Sequence, residues 1–243
     1  MRLSPPGFQK IEQAAQFNVH FGGTEANVGA SLVKFGVPAA HVTRFPANAV
    51  GGSALQFLRK LGVDVSHIQL EGHRMGLYFL ETGAVSRASQ IVYDRYGSAF
   101  AEIPEGAFDW DEILRDAQWF HWSGVTPALS ENCAAECRRA IETANRLGIA
   151  VSGDVYFRSN LWRYGKTPQQ VLPALAAGSD IVLANEQNLE ELFGIERDPN
   201  LSGDADFTET CRRMMAAYPR VKKIVDTDRD SVSASHNRIA ARM

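Results

Sequence analysis

The order of apolar runs and chain breakers predicts an α/β protein: a mostly parallel sheet with helices on both faces, plus a small β-sheet lid. Two observations carry this. From residue 118 onward, short strand-like runs alternate with longer amphipathic helical ones, the pattern that closes into strand–helix–strand units. Residues 74–100 interrupt the pattern with two strand-like runs joined by a turn-rich stretch, so they predict a hairpin outside the main sheet.

Residues 1–20 are mostly polar, and Pro5, Pro6 and Gly7 keep them out of a helix. Residues 8–11 and 17–21 predict two short strands that can pair with the later hairpin. Gly22 and Gly23 end the second of these, and Thr24 is placed to cap the next helix. In that helix Ala26, Gly29, Ala30 and Val33 share a face, and Val28, Leu32 and Phe35 widen it. The polar stripe of Asn27, Ser31 and Lys34 is narrow, so a helix buried on most sides is expected. A helix entered through two glycines brings free backbone N–H groups close to whatever lies at its start, although a tight turn into a core helix needs the same residues.

Residues 40–44 read as a strand and 51–61 as a helix that Gly62 stops. Residues 75–81 and 90–95 form the hairpin. Beyond it, strands are expected at 118–122, 149–152, 180–184, 222–226 and 232–235. Helices are expected at 131–147, 168–177, 189–193 and 207–218. Cys133 and Cys137 lie one turn apart on the apolar side of their helix, which suits core packing better than metal binding.

Composition excludes several classes. The formal net charge of −3 gives no general pull toward nucleic acid or membrane, and no apolar run reaches spanning length. Three cysteines do not make a disulfide framework and fit a reducing cytoplasm. The glycine-rich dinucleotide fingerprint and the lysine-bearing phosphate loop are both absent from the sequence. In a doubly wound sheet, ligands bind where the strands end at their carboxyl side. Polar residues stand at those ends of the predicted strands: Ser123-Gly124, Asp154 to Arg158, Asn185 and Thr227. These groups are expected on one rim.

The segments FGGTEANVGASL, MGLYFLETG, IVYDRYGSAF, WFHWSGVTPALS, GDVYFRSNLW, IVLANEQNLEELFG and DTDRDSVSASHN occur in the order found in the PfkB-type sugar kinases, the family that contains ribokinase. The chain resembles that family from residue 8 onward, and 2-keto-3-deoxygluconate kinases within it most. The resemblance implies a ribokinase-like core (21–73 and 99–243) with a β lid (8–20 and 74–98). It implies transfer of the ATP γ-phosphoryl group to a sugar-acid hydroxyl with Mg²⁺ assisting, and possible pairing of two copies through the lid.

By the same resemblance, Gly22, Gly23 and Asn27 match the turn that holds the sugar, and Tyr78, Tyr93 and Arg95 match lid residues that contact it. Arg158 matches an arginine near both the sugar acid and the phosphates. Asn185 falls where a polar residue meets the nucleotide phosphates and Mg²⁺, and Thr227 and Arg229 fall where the nucleotide site begins. An arginine fork can bind a carboxylate through two charge-assisted hydrogen bonds, so Arg95 and Arg158 are expected to meet one acidic carbohydrate. Each residue also has a plainer reading. Tyr78 and Tyr93 suit packing equally well, Arg95 suits a solvated surface, Arg158 can pair with Asp154, and Asn185 can cap a helix.

The resemblance departs in three places. Many relatives have glutamate where this chain has Asn188, with Glu186 nearby. The family's first core strand, with its Gly-Glu pair, precedes the position of Arg2. Its glycine-rich anion hole and aspartate base come after the position of Met243, and nothing like Gly-Ala-Gly-Asp occurs in these residues. A fragment is therefore expected, with negligible kinase turnover and low solubility by itself; a non-catalytic sugar-acid binder or a kinase for a neutral sugar are the competing readings.

Overall fold

Contacts along the chain divide it into two units, residues 1–103 with 230–238 and residues 104–229 with 239–243. The computed structural model describes residues 1–84, 87–233 and 236–243, and all side chains in these ranges except those of 159 and 231–233.

The first unit begins with β1 (Arg2–Ser4), β2 (Asn18–His20) and α1 (Thr24–Lys34), followed by β3 (Thr43–Phe45), α2 (Ala49–Lys60) and β4 (Ile68–Leu70). The hairpin of β5 (Leu77–Glu81) and β6 (Gln90–Asp94) completes a four-stranded sheet of order β2-β1-β5-β6. The predicted strand at 8–11 is not formed. Gly7 takes a left-handed turn after Pro5-Pro6, and Ile11–Gln13 continues as a short 3-10 turn. Its place in the sheet is taken by Arg2–Ser4, which pairs antiparallel with β2 and parallel with β5.

Helix α1 also departs from expectation. Gly23 is the N-cap, while Thr24 lies inside the first turn and donates its hydroxyl to the Glu25 carboxylate at 2.6 Å. Only Ala26 and Gly29 are buried along the helix; Val28 and Leu32 are each 38% exposed. A single narrow face packs, because the small residues Ala26 and Gly29 let the helix approach Ala39 and Val63 closely. Helix α2 is held at its start by Asn48, whose side chain accepts from the Val50 and Gly51 amides at 3.0 and 3.1 Å. Gly62, at φ +84°, turns the chain out of it as expected. Leu58, Val63, Val65 and Ile68 join Ala26 in the small core of this unit.

The second unit holds α3 (Trp110–Leu114), β7 (Trp119–Ser123), α4 (Glu131–Arg146), β8 (Ala150–Asp154), α5 (Pro168–Ala176) and β9 (Ile181–Leu183). They are followed by α6 (Glu186–Phe193) and α7 (Gly203–Ala217), then by β10 (Lys223–Ser233) and β11 (His236–Arg242), whose stretch within 230–238 is counted with the first unit. Its sheet runs β11-β10-β9-β8-β7, and the pairs from β7 to β10 are all parallel. The predicted strands at 222–226 and 232–235 are one continuous strand as far as Ser233; residues 234–235 lie outside the described residues. Strands β4 and β11 and helix α3 were not expected.

Apolar spacing explains α4. Cys133, Cys137, Ala140, Ile141 and Ala144 form its buried stripe, and Ser130 caps it by accepting from the Cys133 amide at 3.1 Å. Burial pushes the Cys133 thiol up to about 12, so it stays a packed, unreactive thiol. On β8, Gly153 lies against the indole of Trp122 on β7, where any Cβ would collide with the ring. The indole N–H donates to the Ser179 hydroxyl at 3.0 Å.

Candidate functional site

In the second unit, strand register brings the expected rim into being. Ser123 is level with Asp154, Asp154 with Leu183, and Leu183 with Val225. Asn185 and Thr227 each come two residues later. Backbone bonds tie the strand ends together: the Gly124 amide donates to Asp154 O at 2.7 Å, Val155 to Leu183 O at 3.1 Å, and Ala184 to Val225 O at 3.0 Å.

The side chains on this rim are mostly engaged with one another. Asn185 is the N-cap of α6, and its Oδ1 accepts from the Asn188 amide at 2.8 Å; Asn188 returns the contact to the Asn185 amide. The capping reading of Asn185 is thus realised, and Asn188 is its reciprocal partner. Asp226, nearly fully buried, accepts from the Tyr156 hydroxyl at 2.8 Å and from Arg242 Nε at 3.0 Å. Arg242 continues to Glu186 at 2.7 Å and to the exposed Asp204 at 3.2 Å, with its guanidinium over the Phe207 ring. Burial, then donation to Asp226, pushes the Tyr156 phenol up to about 12, and Thr227 also hydrogen-bonds it. Tyr156 is therefore a proton donor at every physiological pH.

Arg158 is exposed on the loop after β8, next to a 3-10 turn over Ser159–Leu161. It does not pair with Asp154, whose Oδ1 accepts instead from the Tyr156 amide at 2.9 Å. Among the described residues, no carboxylate partners Arg158. Thr227 and Arg229 are exposed on β10.

In the first unit, Tyr78 and Tyr93 are directly opposite across β5 and β6, with ring centroids 6.2 Å apart. The Arg95 guanidinium lies over both rings, 5.1 Å from Tyr93 and 5.7 Å from Tyr78. The three residues that the resemblance singles out on the hairpin therefore form one half-buried cluster. At the start of α1, the Asn27 amide donates to Gly23 O at 2.9 Å, and Asn27 Oδ1 folds back toward Gly22, 3.1 Å from where a Cβ would be. Neither glycine adopts the left-handed region, and a Cβ on Gly23 would make only an ordinary contact with Ala26. Local folding alone does not require a glycine at position 23.

Sequence reasoning took in Tyr156 only as part of the rim stretch Asp154 to Arg158, and missed Asp226 and Arg242. Asp226 precedes the predicted rim residue Thr227, and its polar character at the end of an otherwise apolar strand was the available signal. Among the described residues no helix is long and apolar enough to cross a membrane, and no cluster of three or more His, Cys, Asp or Glu side chains forms a metal cage.

The pfkB family carbohydrate kinase pattern matches residues 4–218. A 2-dehydro-3-deoxygalactonokinase of Haloferax volcanii is 30% identical over 214 residues, which cover 85% of this chain and 66% of that protein. For the 2-dehydro-3-deoxygluconokinase of Thermoproteus tenax the identity is 28% over 192 residues, with 78% and 57% covered. The crystal structure of a 2-dehydro-3-deoxygluconokinase from Thermotoga maritima matches with a TM-score of 0.91 at 38% identity, over 99% of this chain and 73% of that one. The chain therefore spans two thirds or less of the length of these curated relatives, and its fold is ribokinase-like.

Proposed function

The chain belongs to the pfkB family of carbohydrate kinases, and from that premise we propose that it serves the ATP-dependent phosphorylation of a 2-keto-3-deoxy sugar acid, most closely 2-keto-3-deoxygluconate to its 6-phosphate. The observation that carries the substrate class is the Arg95 guanidinium over the Tyr78 and Tyr93 rings. An arginine held against aromatic faces is fixed in position, and its planar fork matches the geometry of a carboxylate. The relatives named for 2-dehydro-3-deoxy sugar acids support the same class.

The roles divide by unit. In the first, Tyr78, Tyr93 and Arg95 grip the sugar acid, while the open Gly22-Gly23 turn and Asn27 receive its hydroxyls. In the second, Thr227 and Arg229 bind the nucleotide, and Arg158 neutralises negative charge on carboxylate or phosphate. Phosphoryl transfer depends mainly on such positioning and charge neutralisation. Glu186 and Asp226 already gather around one positive group, the Arg242 guanidinium, so the donor set near Asn185 is one of hard oxygens. That chemistry fits Mg²⁺, which keeps most of its waters and takes one or two carboxylates beside the phosphates. Asn185 and Glu186 are the residues that would hold its water shell, and the ion would supply charge neutralisation. None of residues 1–243 is assigned the proton-accepting role.

Calorimetric titration with 2-keto-3-deoxygluconate, 2-keto-3-deoxygalactonate and fructose tests the reading. The acids bind and fructose does not. Arg158→Ala weakens acid binding by about 1.5–3 kcal/mol, the worth of a charge-assisted hydrogen bond. Equal binding of fructose and the acids, or indifference to Arg158→Ala, would sink the sugar-acid assignment.

A further inference from the structure

The register of the four-stranded sheet of the first unit says which residues share each of its faces. Residues level with one another across neighbouring strands point to the same side. Leu3 is level with Val19 and Phe79, and Phe79 with Val92; the Phe17 ring meets Phe79 edge-on at 5.7 Å. In that row the side is apolar; Glu81, Gln90 and Asp94 lie on it farther along β5 and β6. On the other side, Arg2 is level with His20 and with Tyr78, and Tyr78 is level with Tyr93. Ser4, two residues beyond Arg2, shares its side.

Two polar atoms on that second side are buried with no hydrogen-bond partner among the described residues: Arg2 Nε and Ser4 Oγ. Buried polar atoms in native folds are almost always paired, and an orphan costs the desolvation of its group. Here two orphans lie on one strand and one face: Arg2 in the same cross-strand row as the tyrosines beneath Arg95, and Ser4 two residues farther along, level with Asn18. Arg2 has no carboxylate partner among the described residues. An arginine Nε needs an acceptor oxygen, and a serine hydroxyl suits a second hydroxyl.

Resting on the sugar-acid reading above, we infer that Arg2 and Ser4 are further ligand-binding residues that extend the Tyr78–Tyr93–Arg95 cluster along β1. Arg2 takes a carboxylate or 2-keto oxygen of the sugar acid, and Ser4 a hydroxyl. The second guanidinium makes this face selective for acids over neutral sugars, because unpaired, it would oppose a ligand that brings no acceptor of comparable strength.

The test is calorimetric titration of the chain and of Arg2→Gln, Arg2→Lys and Ser4→Ala with 2-keto-3-deoxygluconate, with ATP titrations and melting curves in parallel. Arg2→Gln raises the sugar-acid Kd tenfold or more. Arg2→Lys raises it nearly as much, since an ammonium lacks the planar fork. Ser4→Ala raises it about threefold, ATP affinity stays put, and the melting temperature does not fall. Wild-type affinity in the Arg2 and Ser4 variants overturns the inference while leaving the sugar-acid reading intact; a wild-type chain that binds no sugar acid removes that reading itself. Should the Arg2 variants fail to fold, Ser4→Ala decides, because it deletes one hydroxyl and no charge.

Discussion

The rim of the five-stranded sheet and one face of the four-stranded sheet treat their polar groups in opposite ways. On the rim of the five-stranded sheet, Asn185, Asp226, Tyr156 and Arg242 are satisfied within the fold. On one face of the four-stranded sheet, Arg2 Nε and Ser4 Oγ are buried with nothing to bond. A side chain engaged within the fold contributes to stability before any ligand arrives. A side chain left unpaired costs stability until one does. Substitutions should therefore read out as lost stability on the rim and as lost affinity on that sheet face.

The largest effect expected is from Asp226→Ala. It strips a partner from both Tyr156 and the Arg242 guanidinium and should lower unfolding free energy by about 3 kcal/mol in urea titrations. If stability were unchanged and only nucleotide binding were lost, the contrast between the units would be broken. A smaller effect is expected from Asn185→Ala, about 1 kcal/mol for a lost cap, which Asn185→Asp restores because a carboxylate caps equally well. That pair sharpens the comparison: nucleotide affinity that falls in both variants would reveal a ligand role for the amide beyond capping.

The smallest effect is a pH dependence that two carboxylates of the second unit contribute. Hydrogen bonds from Arg197, one from Nε at 3.0 Å, are the main cause holding the buried Asp206 carboxyl below the usual carboxylate range. For Asp180, burial pulls the carboxyl upward. It is nonetheless lowered, because the Val151 amide and the charges of Arg220 and Lys222 outweigh that pull. Both folded values lie below the unfolded one, so the stabilisation is complete above about pH 4 and drains away as pH falls through the folded values. Melting temperature should decline on acidification below that point, and Asp206→Asn should flatten the decline.

Much of the second unit was legible because local pattern decides it. Gly148 closes α4 where the apolar stripe of Cys133 to Ala144 ends, and the parallel register then aligns the strand ends without further information. The first unit was harder to read, since its sheet depends on which run pairs with which. Residues 8–11 look as strand-like as 2–4, yet Pro5-Pro6-Gly7 turns the chain before them and Arg2–Ser4 takes the position beside β5. The exposure of Val28 and Leu32 was equally hidden, because an apolar stripe does not say how much of it finds a neighbour. The Tyr78–Tyr93–Arg95 cluster was half legible: the hairpin comes from alternation, but the stacking comes only from register. Arg2 and Ser4 were not legible at all, because a missing partner has no signature in sequence.

The indole that rests on Gly153 has three counterparts, Trp110, Trp119 and Trp162, and these four are the only tryptophans of the chain. All belong to the second unit. Intrinsic tryptophan fluorescence is consequently blind to the sheet that carries Arg95, whereas far-ultraviolet dichroism sees both halves. Superimposing the two optical signals in one thermal scan asks whether the halves melt as a single cooperative body, with no label added and no residue changed.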